Sequence, residues 1–167
     1  YPRGLALSPD GAELFVGEAG NHRVSVFEPR SGRHLRSWGR QGSGAGEFNG
    51  PSYCALSRDG RALYVTDTFN HRVVACDAAS GGTLWCCGRV GSGDGELTYP
   101  RGLALSRCGR ELFVADSDND RVVVLSVDDG SVVRSWAVAG GPVGVGLGPG
   151  GRLFVLSYDS NRLRKFS

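Results

Sequence analysis

Methionine is absent from the 167 residues, lysine occurs once, as Lys165, and histidine only three times. A chain without an initiating methionine is expected to be a processed or trimmed one, so the lack of a signal segment says little about location. No unbroken apolar stretch exceeds four residues, residues 122–125 among them, which excludes a membrane-spanning helix. No stretch shows an apolar period of 3.6 with caps, so helices are not expected. The five cysteines, Cys54, Cys76, Cys86, Cys87 and Cys108, are odd in number and include no C-x-x-C pair. That pattern writes no disulfide framework and points to a reducing, intracellular compartment. A net charge of only +2 excludes a field strong enough to imply nucleic acid or an anionic membrane by itself.

What is present is an ordinary globular balance, 40% apolar and 22% charged, long enough to bury a core. Glycine is abundant, at 27 residues without a collagen period, which indicates many tight turns. Eighteen arginines stand against the single lysine, a bias that a GC-rich genome produces as readily as function does.

The strongest signal is self-similarity. Pro2-Arg3-Gly4-Leu5-Ala6-Leu7-Ser8 returns at Pro100-Arg101-Gly102-Leu103-Ala104-Leu105-Ser106, with Pro51-Ser52-Tyr53-Cys54-Ala55-Leu56-Ser57 midway. The period is 49, and a weaker fourth copy begins at Pro142, 42 residues on. Asn21-His22-Arg23, Asn70-His71-Arg72, Asn119-Asp120-Arg121 and Asn161-Arg162 keep the same rhythm. In the first copy, residues 4–8, 13–17, 23–28 and 34–38 read as strands of period two. Ser8-Pro9-Asp10-Gly11, Gly20-Asn21 and Pro29-Arg30-Ser31-Gly32 supply the turns between them. Four short strands per repeat of this length specify an all-β fold, a β-propeller of four-stranded antiparallel blades.

The motif resembles the NHL repeat family: a glycine-rich lead (Gly91-Ser92-Gly93-Asp94-Gly95), proline, a small-apolar strand, Asp59-Gly60, Leu63-Tyr64-Val65-Thr66-Asp67, then Asn70-His71-Arg72-Val73-Val74. Essentially the whole chain carries it, with Asp120 at the third histidine slot, the fourth histidine slot lost, and Ser157 where an aspartate is expected. Blades are expected at about 1–41, 42–90, 91–139 and 140–167, the last without its outer strand. The resemblance implies a ring of about six blades, so further blades, self-association or a partner is expected to cover two open blade faces.

Residues repeated in every copy read as structural. Leu5, Leu7, Leu56, Leu103, Leu105 and Leu147, and the slot of Phe15, Tyr64, Phe113 and Phe154, are assigned to the core. Asp67 with Arg72, Asp116 with Arg121 and Glu18 with Arg23 are expected to tie strand ends. His22 and His71 sit on separate blades without ligand spacing, so no metal, cofactor or catalytic residue is assigned. The NHL-like amidating lyases bind metal through more histidines than this chain has, and that activity is not carried over. Cys54, Cys76 and Cys87 take core slots, and Cys108, on a turn tip, is expected to be the accessible thiol.

The inter-blade linkers and the Asn-His-Arg loops should share one face. It would gather Arg3, Arg40, Arg89, Arg101, His22, His71, Tyr53, Phe69, Tyr99 and Tyr158, the residue types of a recognition surface, with Glu47, Asp94, Glu96 and Asp118 among them, so that the face is mixed in sign. The expected function is a non-catalytic platform for a protein partner. The alternative is single-stranded RNA, with arginines on phosphate and Phe69 or Tyr53 stacked on bases. A lyase- or lactonase-like enzyme ranks third.

Overall fold

The computed structural model describes residues 1–166, in which strands are joined by turns and four short 3-10 segments. Blade one contains β1 (Pro2–Leu7), β2 (Leu14–Glu18), β3 (Arg23–Phe27) and β4 (His34–Trp38). Blade two contains β5 (Pro51–Leu56), β6 (Ala62–Asp67), β7 (Arg72–Asp77) and β8 (Thr83–Cys87). Blade three contains β9 (Pro100–Leu105), β10 (Glu111–Asp116), β11 (Arg121–Ser126) and β12 (Val132–Ala137). Blade four has three described strands, β13 (Pro142–Leu147), β14 (Leu153–Ser157) and β15 (Arg162–Phe166). Each blade is one antiparallel meander in chain order, and the inner strands β1, β5, β9 and β13 stand side by side around the axis.

Alternation along each strand puts one apolar set on each blade face, so the core consists of layers between blades. Phe15, Val24 and Val26 of blade one meet Leu63, Val65, Val74 and Cys76 of blade two. Tyr64, Val73 and Ala75 meet Leu103, Leu112, Val114 and Leu125, and Val122 meets Leu153 and Val155. Fully buried side chains such as Leu63 and Leu112 each contribute roughly 1.5–3 kcal/mol. The linkers take part too: Phe48 and Leu97 are buried plugs pinned by the bridges Gln41–Phe48 and Val90–Leu97. One slot on the outer strand acts as a latch. Arg36 Nη2 donates to the Ala78 carbonyl of the next blade at 3.2 Å, and Trp85 Nε1 donates to the equivalent Val127 carbonyl at 2.9 Å.

Three expectations need correction. Leu5 and Leu7 are not buried, Leu5 being 64% exposed, because no blade among the described residues packs against that side of blade one. Leu163, on the other terminal blade face, is 67% exposed for the same reason, and Phe113 and Phe154 are only half-buried. The fourth histidine slot is occupied rather than lost. β14 pairs Ser157 with Arg162 as β10 pairs Asp116 with Arg121, so Asn161 stands where His22, His71 and Asp120 stand. All four hold the left-handed backbone, φ 48 to 56°, which asparagine tolerates well. The shift arises because the turn before β14 is one residue shorter, which the rhythm of the asparagines concealed.

The inner strands approach so closely at the axis that a side chain is excluded at Gly102, where a Cβ would lie 2.7 Å from the Gly144 Cα. Gly102→Ala is expected to destabilise the chain by about 1–3 kcal/mol in urea unfolding, through overpacking that backbone cannot relieve. Gly146→Ala, on the same inner ring with nothing within 4 Å of the added methyl, should stay near wild type.

Candidate functional site

Register fixes which loops meet. Pro51 pairs with Asp67 and Asp67 with Arg72, so each linker ends beside the loop that closes the second and third strands. This loop face is built on a repeated knot. Asp67 is fully buried; its Oδ1 accepts the Asn49 N–H at 2.6 Å, and its Oδ2 accepts Asn70 Nδ2 at 2.7 Å and Arg72 Nε at 2.8 Å. The same guanidinium donates onward to the Ser43 and Glu47 carbonyls at 2.6 and 2.8 Å. Asp116, Thr98, Asn119, Arg121, Ser92 and Glu96 repeat the pattern one blade later. The expected Glu18–Arg23 tie is present at 2.8 Å. In blade four Ser157 cannot form this knot, and Arg164 takes its hydroxyl at 2.8 Å and the Ala139 carbonyl at 2.7 Å instead.

The histidines belong to the same scaffold. His22 Nδ1 accepts the Gly50 N–H and His71 Nδ1 accepts the Tyr99 N–H, both at 3.2 Å, while Asp120 accepts from Gly140 and Gly141. Each thus clasps the linker leading into the next blade. Among the described residues, no group of three or more His, Cys, Asp or Glu is placed to hold a metal.

The other candidates divide. Arg40 and Arg89 lie mostly in solvent, each braced within its own linker by Glu47 at 2.9 Å and Glu96 at 3.1 Å. The backbone N–H of Gly44, and then Arg40, hold the Glu47 carboxyl below its usual range, and Gly93 and Arg89 do the same for Glu96. Tyr53, expected on the face, is drawn half into the layer between blades two and three. Arg3 is exposed on β1. Phe69, Tyr99 and His71 form an aromatic cluster, His71 and Tyr99 centred 4.6 Å apart and Phe69 and Tyr99 6.0 Å apart, with Phe69 half exposed.

Arg101 and Tyr158 meet at a cavity of about 330 Å³ between blades three and four, with Ser117, Asp118 and Asp159. The Ser117 hydroxyl is engaged by the Pro142 carbonyl at 2.6 Å. Blade two has Ser52 in the Arg101 slot, paired to Thr68 at 2.9 Å, whereas the Arg101 Nε is buried and has no partner among the described residues. Tyr158 beside it is 73% exposed. Sequence reasoning placed Asp118 on the same face as both residues but missed Asp159, because the shared cavity depends on how two blades abut.

Of the thiols, burial pushes Cys54 and Cys76 up to about 12, which makes them inert. Cys87 is half-buried, and burial raises it as well. Cys108 is exposed as expected, but it is not the one accessible thiol: Cys86, in the slot of Ser37 and Ser135, is exposed as well.

Radial antiparallel meanders with a loop face at one end define a β-propeller protein. The sequence profile of the lactonase, 7-bladed beta-propeller family matches residues 2–138, and the chain belongs to that family. Hydrazine synthase of Kuenenia stuttgartiensis has the same fold, with a TM-score of 0.81 over 99% of this chain at 22% identity. This chain spans 46% of that one, and at such identity the likeness is one of fold alone. No curated protein matches the chain.

Arg72→Ala leaves the buried Asp67 carboxylate without its cation, and urea unfolding should register a loss of about 3–5 kcal/mol. Arg40→Ala, at an exposed pair, should cost no more than ~1 kcal/mol. Acid should weaken the fold through other groups. Arg36 holds Glu13, and Arg134 holds Glu111, below the ordinary glutamate value of 4.5, so their contribution is present above that pH and lost on acidification through the lowered values. Burial raises Asp67, whose linkage has the opposite sign. Glu13→Gln with Glu111→Gln should therefore flatten the acid side of a melting-temperature profile, with the pH-neutral Ala12→Ser as control.

Proposed function

We propose that the chain is a non-catalytic interaction module that holds a protein partner on the loop face, around the cavity between blades three and four. The buried, unpartnered Arg101 Nε–H beside exposed Tyr158 carries this reading. Arginine and tyrosine in a partly desolvated pocket are the side chains that dominate binding energy at protein interfaces. Half-exposed Phe69, backed by Tyr99 and His71, extends the surface. Single-stranded RNA is less well served, since Glu47 and Glu96 offset Arg40 and Arg89 and Tyr53 is withdrawn from stacking. The repeats themselves we assign to the NHL type, on the strength of the Asp-Asn-His-Arg pattern, and we expect further blades to complete the ring.

A second reading follows from the family's name, a ring-opening hydrolase acting on a lactone. Asp118 or Asp159 would activate water and Arg101 would steady the developing oxyanion.

The immobilised chain, with Arg101→Ala and Tyr158→Ala variants, separates these readings when retained proteins are quantified by mass spectrometry. Both substitutions should remove the same set of proteins, insensitive to nuclease and to a moderate salt increase, while Arg40→Ala retains it. Retention abolished by nuclease would replace this reading with RNA binding. Opening of five- or six-membered lactones, lost on Asp159→Asn, would replace it with catalysis.

A further inference from the structure

The opposite end of the blades carries turns that the loop-face reading does not use, and we infer that this turn face docks an acidic peptide segment. Four exposed arginines, Arg58, Arg61, Arg107 and Arg110, lie on the adjacent inner turns of blades two and three. Among the described residues none of them forms an ion pair. They recur at the 49-residue period in blades two and three but not in blade one. The slot of Arg58 and Arg107 holds Pro9 in blade one, where it rests on Gly60 as Arg58 rests on Gly109 one blade later.

Their charge is left uncompensated locally. The Asp59 carboxylate is occupied by the Ser57 hydroxyl at 2.6 Å and the Arg61 N–H at 3.1 Å, and in blade three its slot holds Cys108. Asp10 holds the same inner-turn slot in blade one, bound to the Ser8 hydroxyl at 2.5 Å, and Glu28, Asp77 and Asp129 on the outer turns cap their own backbone N–H groups. On the inner turns of blades two and three the four arginines therefore outnumber the single aspartate, Asp59. Inside the arginines lie two cavities, of about 460 and 470 Å³, which share Arg58 and Leu105 and are walled by Leu7, Leu56 and Leu147.

An occupant that fits supplies carboxylates to the arginines and aliphatic side chains to the leucine walls. Among the described residues no aromatic side chain lines either cavity. The stacking platform that single-stranded nucleic acid requires is missing, and charge complementarity selects a peptide.

The test uses a fluorescein-labelled peptide of alternating glutamate and leucine and the 167-residue chain, read by fluorescence anisotropy. Arg58→Glu with Arg107→Glu should weaken binding roughly ten-fold or more, while Arg40→Glu with Arg89→Glu, an equal charge change on the loop face, should leave it near wild type. Bound peptide should also slow iodoacetamide alkylation of Cys108, set among the turn-face arginines, but not of Cys86 on β8. Equal loss in both double variants, equal competition by oligouridylate, or unchanged Cys108 alkylation at saturating peptide would each overturn the proposal. Melting temperatures separate lost docking from lost folding: the turn-face variant, at exposed side chains without ion pairs, should match wild type, and the loop-face variant should fall by only a few degrees on losing the Glu47 and Glu96 pairs.

Discussion

A buried carboxylate shared between a strand end and a linker holds this molecule in register. Asp67 and Asp116 are removed from water, and each is tolerated because backbone N–H, asparagine and arginine all converge on it. The arginine then spends its remaining donors on carbonyls of the preceding linker. A polar group placed thus converts a flexible glycine-rich connection into a fixed spacer between blades. Fixed spacers allow two apolar faces to meet at one distance, and the layers of leucine and valine follow from that.

Because the residues shared by every blade are occupied in this way, distinct chemistry comes from positions that vary between blades. Arg101 stands where a neighbouring blade has a satisfied serine, and its Nε–H is left over. Arg58 and Arg107 stand where blade one has a proline. The two ends of the blades consequently differ. The loop end offers a mixed pocket with exposed aromatics, and the turn end offers a basic ring over an aliphatic wall. The family's name refers to a catalytic activity, and the candidate pocket carries carboxylates close to an arginine, so binding and catalysis make distinguishable demands on the same side chains.

Most of the fold was legible in the sequence because the period of two and the turn residues are local, and a period of 49 multiplies every local signal. β4, for instance, runs over the residues that alternation assigns to it. What was not legible depends on neighbours. Arg40 and Arg89 read as binding charges on a face of mixed sign, and only the folded linker shows that Glu47 and Glu96 pair with them directly. His22 and His71 read as candidate contact residues, yet the left-handed turn aims each Nδ1 at a backbone N–H of the following linker. The Asn161 slot was misassigned because counting along the chain cannot see a one-residue deletion that pairing reveals.

Native-state hydrogen exchange on Asp67→Asn tests the central claim most directly, since the substitution keeps the shape of the knot and removes its charge. The account predicts faster exchange at the linker amides of Gly42, Phe48 and Asn49, while Leu97 and Thr98, tied by the intact Asp116 knot, keep their protection. Equal loss of protection in both linkers, or none in either, would contradict it.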